Sequence, residues 1–161
     1  MNTMFDLQQY ALQKLKDTYT EHEIKVLCSL SFCKLLHYTN IDIHLKKHEF
    51  LAKSFIDKFV QIVEELKTDK PIQYILGETE FAGIDFQLNS ETLIPRPETE
   101  ELVMWIVESG VQPGASVLDI GTGSGCIIVS LGKLLKGVRL CGVDISPAAV
   151  RQAADNARRN G

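Results

Sequence analysis

The chain has 161 residues, of which 45% are hydrophobic and 24% charged, with a formal net charge of −4. That length allows one domain or two small ones, and that composition is globular rather than fibrous or disordered. The acidic balance argues against nucleic acid as a direct partner, and no apolar run reaches the roughly 18 residues of a membrane span.

The four cysteines, Cys28, Cys33, Cys126 and Cys141, include no C-x-x-C pair, which argues against a disulfide framework or a zinc site. No signal peptide is recognised, so a soluble protein of the reducing cytoplasm is expected, with no membrane partner. Charge is unevenly spread. Residues 1–70 hold ten bases and ten acids, whereas residues 71–110 hold eight acids against one base, Arg96. A solvated acidic face is the expected consequence.

Residues 4–16 place Met4, Leu7, Ala11, Leu12 and Leu15 at helical spacing. Thr20-Glu21-His22-Glu23 reads as a capping box that opens a second helix, interrupted at Tyr38-Thr39-Asn40. A third helix is expected from about 46 to 67, where Leu51, Phe55, Phe59, Ile62 and Leu66 recur at three and four. Pro71 follows its end. His44 and His48 are four apart and flanked by lysines, a solvated pair rather than a metal site. Residues 1–70 therefore read as a helical bundle.

After Pro71 the pattern changes. Thr79 to Leu88 alternates around Gly83 and predicts a β-hairpin, and Thr92-Leu93-Ile94 predicts a further short extended piece. Pro97 suits the first turn of a helix, with Glu98, Glu100 and Glu101 beside it. From 115 onward the order is strand (116–120), glycine loop, helix (about 126–136), strand (138–143) and helix (about 147–159). That is a β-α-β-α unit with parallel strands.

The loop of that unit carries the chemistry. Asp119 ends the first strand, and Gly121, Gly123 and Gly125 follow at alternate positions. Strand, glycine loop and helix bring backbone close to a nucleotide-like ligand. The dinucleotide spacing G-x-G-x-x-G is not met, because the sixth position is Cys126, and the P-loop ending Gly-Lys-Ser/Thr is absent. Asp144 ends the next strand, 23 positions after Gly121, near the roughly 20 expected of an acid that accepts ribose hydroxyls.

Two stretches resemble one family. Pro71-Ile72-Gln73-Tyr74-Ile75-Leu76-Gly77, Glu80-Phe81 and the run from Leu93 through Ile94-Pro95-Arg96-Pro97-Glu98-Thr99-Glu100 to Val103 resemble the linker of the peptide chain release factor glutamine methyltransferases, the HemK/PrmC family. Asp119-Ile120-Gly121-Thr122-Gly123-Ser124-Gly125 is similar to motif I of methyltransferases that use S-adenosylmethionine. The resemblance implies an α + α/β protein: a helical substrate-recognition domain (1–70), a hairpin linker (71–96) and the start of a Rossmann-like methyltransferase domain (97–161). It implies methyl transfer from S-adenosylmethionine to the side-chain amide nitrogen of the glutamine in the Gly-Gly-Gln motif of a release factor, the protein partner.

By the same resemblance, Gly121, Thr122, Gly123, Ser124 and Gly125 wrap the cofactor and Asp144 holds its ribose. Asp119 supports the loop or meets the cofactor. Arg96, Glu98 and Thr99 close over the cofactor, steer substrate, or only cap a helix. The family's Asn-Pro-Pro-Tyr motif is absent from these residues. The expectation is therefore the N-terminal portion of a longer enzyme, with part of a cofactor site, no catalytic residue and no activity alone. The competing readings are a nicotinamide-dependent dehydrogenase, a non-catalytic protein-binding module with a vestigial cofactor fold, and a methyltransferase of another protein or of nucleic acid.

Overall fold

A computed structural model describes residues 1–161. The chain forms two compact units, Met1–Leu76 and Gly77–Gly161.

The first unit is helical: α1 (Met4–Leu15), α2 (Glu21–Leu36), α3 (Asn40–Lys46), α4 (Lys53–Leu66) and the short α5 (Ile72–Leu76). Three of these helices open on complete capping boxes. Thr3 with Asp6, Thr20 with Glu23, and Thr39 with Asp42 each satisfy free N–H groups at a helix start. The apolar stripes close on one core containing Leu7, Leu15, Ile24, Phe32, Phe59, Val63 and Leu66. Phe32 stacks on Phe59 with ring centroids 5.0 Å apart.

The helix expected over 46–67 spans only Lys53–Leu66, and a break separates it from α3, a helix over 40–46 that the apolar pattern does not predict. The break has a backbone cause. Phe5 N–H donates to the Lys47 carbonyl at 2.9 Å, Leu51 N–H donates to the Asn2 carbonyl at 2.8 Å, and Thr3 bridges Phe50. Lys47, Phe50 and Leu51 thus pair with the N-terminal segment, and Glu49 N–H closes a turn on the Lys46 carbonyl at 2.9 Å. His44 lies in α3, but His48 lies past its end and packs its ring on Phe5 at 5.3 Å. The two imidazoles do not share a helix face.

The second unit begins with a hairpin, β1 (Glu78–Phe81) and β2 (Ile84–Gln87), paired antiparallel with Phe81 opposite Ile84. Ala82 and Gly83 form its turn with φ of 51° and 72°, the doubly positive geometry of a type I′ turn. The extended piece expected at Thr92-Leu93-Ile94 joins no sheet. Asn89 folds the chain there: its side chain accepts from Glu91 N–H at 2.9 Å, and its carbonyl accepts from Thr92 N–H at 3.4 Å. Helix α6 (Pro97–Glu108) follows, with Pro97 in its first turn.

Then come β3 (Ser116–Ile120), α7 (Cys126–Leu134), β4 (Arg139–Val143) and α8 (Pro147–Asn160). Strands β3 and β4 pair in parallel, with Leu118 opposite Cys141 and Ile120 opposite Val143. One core joins hairpin, helices and sheet: Phe81 and Phe86 pack with Val103 of α6 and with Cys126 and Leu131 of α7. Val117 and Leu140 meet that core from the sheet. The hairpin therefore belongs to the core of the second unit.

Candidate cofactor site

The loop 121–125 is held from several sides. Gly121 N–H and Thr122 N–H both donate to the Val143 carbonyl, at 2.8 and 2.9 Å. Gly123 N–H donates to Asp144 Oδ2 at 2.9 Å, and Gly125 N–H donates to the Thr122 carbonyl at 2.8 Å. Four N–H groups of the loop are thus used inside the protein. A phosphate cradle would aim such groups at its ligand. The loop suits a ligand recognised by shape and by polar contacts rather than one gripped by phosphate.

Two glycines show why this loop carries no side chains at key points. Gly125 sits at φ 80°, and an added Cβ would lie 2.9 Å from Ala153 Cβ and 3.1 Å from Ala153 Cα. The position is therefore closed both by its left-handed backbone and by the approach of α8. Gly142, on β4, would place a Cβ 2.7 Å from Thr122 Oγ1, so its bareness makes room for the loop threonine. Around Gly121 (φ 80°) nothing comes within 4 Å of such a Cβ, and around Gly123 (φ 56°) only the Gly121 carbonyl oxygen does, at 3.9 Å. That side of the loop is open to a ligand.

Asp144 is tied to the loop and to the helix that follows. Its Oδ1 accepts from Ser146 N–H and its Oδ2 from Gly123 N–H, both at 2.9 Å. These two bonds, Ser146 first, hold its carboxyl below the ordinary carboxylate range. It is ionised at neutral pH, and each carboxylate oxygen has a further lone pair for a hydroxyl donor. Ser146 itself caps α8 by accepting from Ala149 N–H at 3.3 Å.

Asp119 acts on the loop from the other strand: its Oδ2 accepts from the Thr122 hydroxyl at 2.7 Å. Thr122 and Ser124 are buried, so their side chains belong to the support of the loop. Gly123 is thus bonded to Asp144 and Thr122 to Asp119, with Gly121 held on Val143 beside them. Arg96, Glu98 and Thr99 stand at the start of α6, where Thr99 N–H donates to the Arg96 carbonyl at 2.9 Å. No hydrogen bond or ion pair joins their side chains to the loop or to Asp144.

An apolar cleft of about 320 Å³ lies between α7, β4 and α8, lined by Ile128, Val129, Leu140, Val150 and Ala153 among others. Of the loop it includes Thr122, and it includes neither Asp144 nor Gly121 or Gly123.

Sequence reasoning missed the buried amides of α8. Asn156 is fully buried, and its Nδ2 donates to the Ser124 carbonyl at 2.8 Å. The available signal was an asparagine inside a helix, a costly place for one, four residues after Gln152 and four before Asn160.

Comparison with known proteins meets this geometry. The family model of the PrmC N-terminal domain matches residues 6–77, and that of ribosomal protein L11 methyltransferase (PrmA) matches residues 97–161. A release factor glutamine methyltransferase of Flavobacterium psychrophilum is 39% identical over 153 residues, covering 92% of this chain and 54% of that protein. One of Bacteroides thetaiotaomicron is 41% identical over 148 residues, covering 91% of this chain and 52% of its own. The chain is a homologue of the release factor glutamine methyltransferases over most of its length. A third relative of that name, from Nitratidesulfovibrio vulgaris, is 36% identical over 159 residues, covering 99% of this chain and 54% of its own. The chain spans about half the length of these curated methyltransferases. No helix is long and apolar enough to cross a membrane.

Proposed function

We infer that the loop Gly121–Gly125 and Asp144 bind S-adenosylmethionine, and that the protein serves methyl transfer to the side-chain amide of the Gly-Gly-Gln glutamine of a release factor in the cytoplasm. The observation that carries this reading is the Asp144 carboxylate. It is anchored by Gly123 and Ser146 beside a loop whose N–H groups are largely spent internally and whose glycines leave open space. Bound there, the cofactor would supply a methyl group activated on a sulfonium. Asp144 would hold the ribose hydroxyls, and Asp119 would keep Thr122 and the loop in register.

A side-chain amide nitrogen is a weak nucleophile, because its lone pair is delocalised into the carbonyl. Transfer therefore depends on orienting it, a matter of proximity and electrostatics. The Asn-Pro-Pro-Tyr groups that do this in the family are not among residues 1–161. These residues hold the cofactor and do not complete the transfer. The helical unit supplies substrate recognition, and Arg96, Glu98 and Thr99 close over the cofactor or steer the substrate.

The test uses methyl-labelled S-adenosylmethionine and a purified release factor. The chain is expected to retain the labelled cofactor and to leave the factor unlabelled. Label on the factor would overturn the incomplete-site reading, and failure to retain cofactor would overturn the binding reading.

A further inference from the structure

Helix α8 meets the hairpin through a ladder of side-chain amides. Asn89 Nδ2 donates to Gln152 Oε1 at 2.5 Å, and Gln152 Nε2 donates to the Gln87 carbonyl at 3.0 Å. Asn156 holds both backbone groups of Gln87: its Oδ1 accepts from Gln87 N–H at 2.8 Å, and its Nδ2 donates to the Gln87 carbonyl at 3.0 Å. Asn160 Nδ2 donates to the Asp85 carbonyl at 3.1 Å. Residues 152, 156 and 160 thus face residues 89, 87 and 85 in order. The match is metric. A helix rises about 6 Å over four residues and a strand about 6.7 Å over two. The amides of α8 take the place of a third strand on the free edge of β2.

Asn156 differs from the other two rungs. Its Nδ2 also donates to the Ser124 carbonyl at 2.8 Å, inside the glycine loop. One fully buried amide therefore joins β2 to the loop, with three hydrogen bonds from a group capable of four. No other side chain of similar size fills this place. Aspartate keeps the shape but loses both donors and faces two carbonyls, and alanine removes the side-chain partner of Gln87 N–H and of the Ser124 carbonyl, leaving the Gln87 carbonyl with Gln152 alone. Glutamine adds a methylene where there is no space.

We propose that Asn156 is a positioning residue of the cofactor loop: it fixes Ser124, and with it Gly123 and Gly125, against the hairpin. Its consequence for S-adenosylmethionine rests on the cofactor reading above; its effect on the loop does not.

Amide hydrogen exchange on the ligand-free chain separates the two. In Asn156→Asp, exchange at Gly123, Gly125 and Gln87 is expected to rise about tenfold or more while amides of the α1–α4 bundle stay unchanged. The cofactor affinity falls by a similar factor in the same folded variant. Gln152→Ala, which removes rungs on the hairpin only, loosens Gln87 and leaves Gly123 and Gly125 protected. In the wild type, Gln87, Gly123 and Gly125 share one opening event, a measurement that stands even if the aspartate variant does not fold. Unchanged loop exchange in folded Asn156→Asp, equal loosening of the loop by Gln152→Ala, or independent openings in the wild type would each overturn the proposal. Loop loosening in a chain whose wild type binds no S-adenosylmethionine would count against the cofactor reading and leave the positioning role standing.

Discussion

Leu7, Leu15, Ile24 and Phe59 of the helical unit are buried, whereas Leu118, Ile120, Val143 and Ile145 of the loop-bearing unit stand open to solvent. The helical unit uses amphipathic faces that close on one another, so the residues of its stripes find partners within 76 residues, while Ile41, Leu45 and Phe50 around α3 stay exposed. The parallel pair β3–β4 has two faces. Val117 and Leu140 turn one of them to the core, and the register puts Leu118, Ile120, Cys141 and Val143 on the other. Ile120 is 79% exposed and Ile145 fully so. In the second unit Phe81, Phe86, Val103 and Leu131 are buried on one side of the sheet, the loop has its backbone and buried polar groups paired, and the other face of the sheet is open. A fully paired loop and a fully covered sheet are separate achievements of a sequence.

Substitutions sharpen that contrast. Phe59→Ala empties a site between Phe32 and Phe55 and should cost the helical unit about 3–5 kcal/mol. Denaturation followed by helical dichroism checks it, and residues 1–76 alone should unfold cooperatively. A gradual, non-cooperative loss would deny that this unit is closed.

Gly125→Ala should cost the second unit about 2 kcal/mol or more, because it combines a left-handed backbone with the contact to Ala153. A stability change under about 0.5 kcal/mol, the range of an ordinary surface substitution, would show that α8 does not press on the loop.

Acid separates the units more gently. Asp144 is held below its ordinary range by Ser146 and Gly123, so its stabilising bonds are present above about pH 4, the ordinary carboxylate value, and are lost as pH falls through its lower folded value. Protection of the Gly123 amide should be flat from neutrality to about pH 5 and decline below about pH 4. Asp42, held down to about 2 by the Thr39 hydroxyl, Lys46 and the Thr39 backbone, should keep the cap of α3 to lower pH. Loss of the α3 cap before the loop would reverse the expected order.

The smallest effect is expected at Ile120→Ser. With so little of its side chain buried, stability should move by no more than about 0.5 kcal/mol. A loss of several kcal/mol would mean that this face is covered in solution.

Local signals were readable in the sequence. Thr20 with Glu23 announced a helix start, the alternating glycines announced the loop, and Asp144 was identified at its place. The remainder depended on partners distant in the chain. Residues 47–51 read as helix because Phe55, Phe59 and Ile62 continue the pattern, and only the pairing with Asn2, Thr3 and Phe5 breaks it. Asn156 reads as an ordinary polar helix residue until the hairpin, 69 positions away, is placed beside it. Asp144 was legible as an acid at the end of a strand but not as the prop of Gly123, since that bond exists only once β3 and β4 are paired.

Calorimetric titration of S-adenosylmethionine into the chain and into Asp144→Ala decides whether the Asp144-anchored loop is a cofactor site. The account predicts saturable binding of one cofactor per chain, about tenfold or more weaker in the variant at unchanged dichroism, as expected for loss of a charged hydrogen-bond acceptor. No binding by the wild type, or equal affinity in the two proteins, would contradict it.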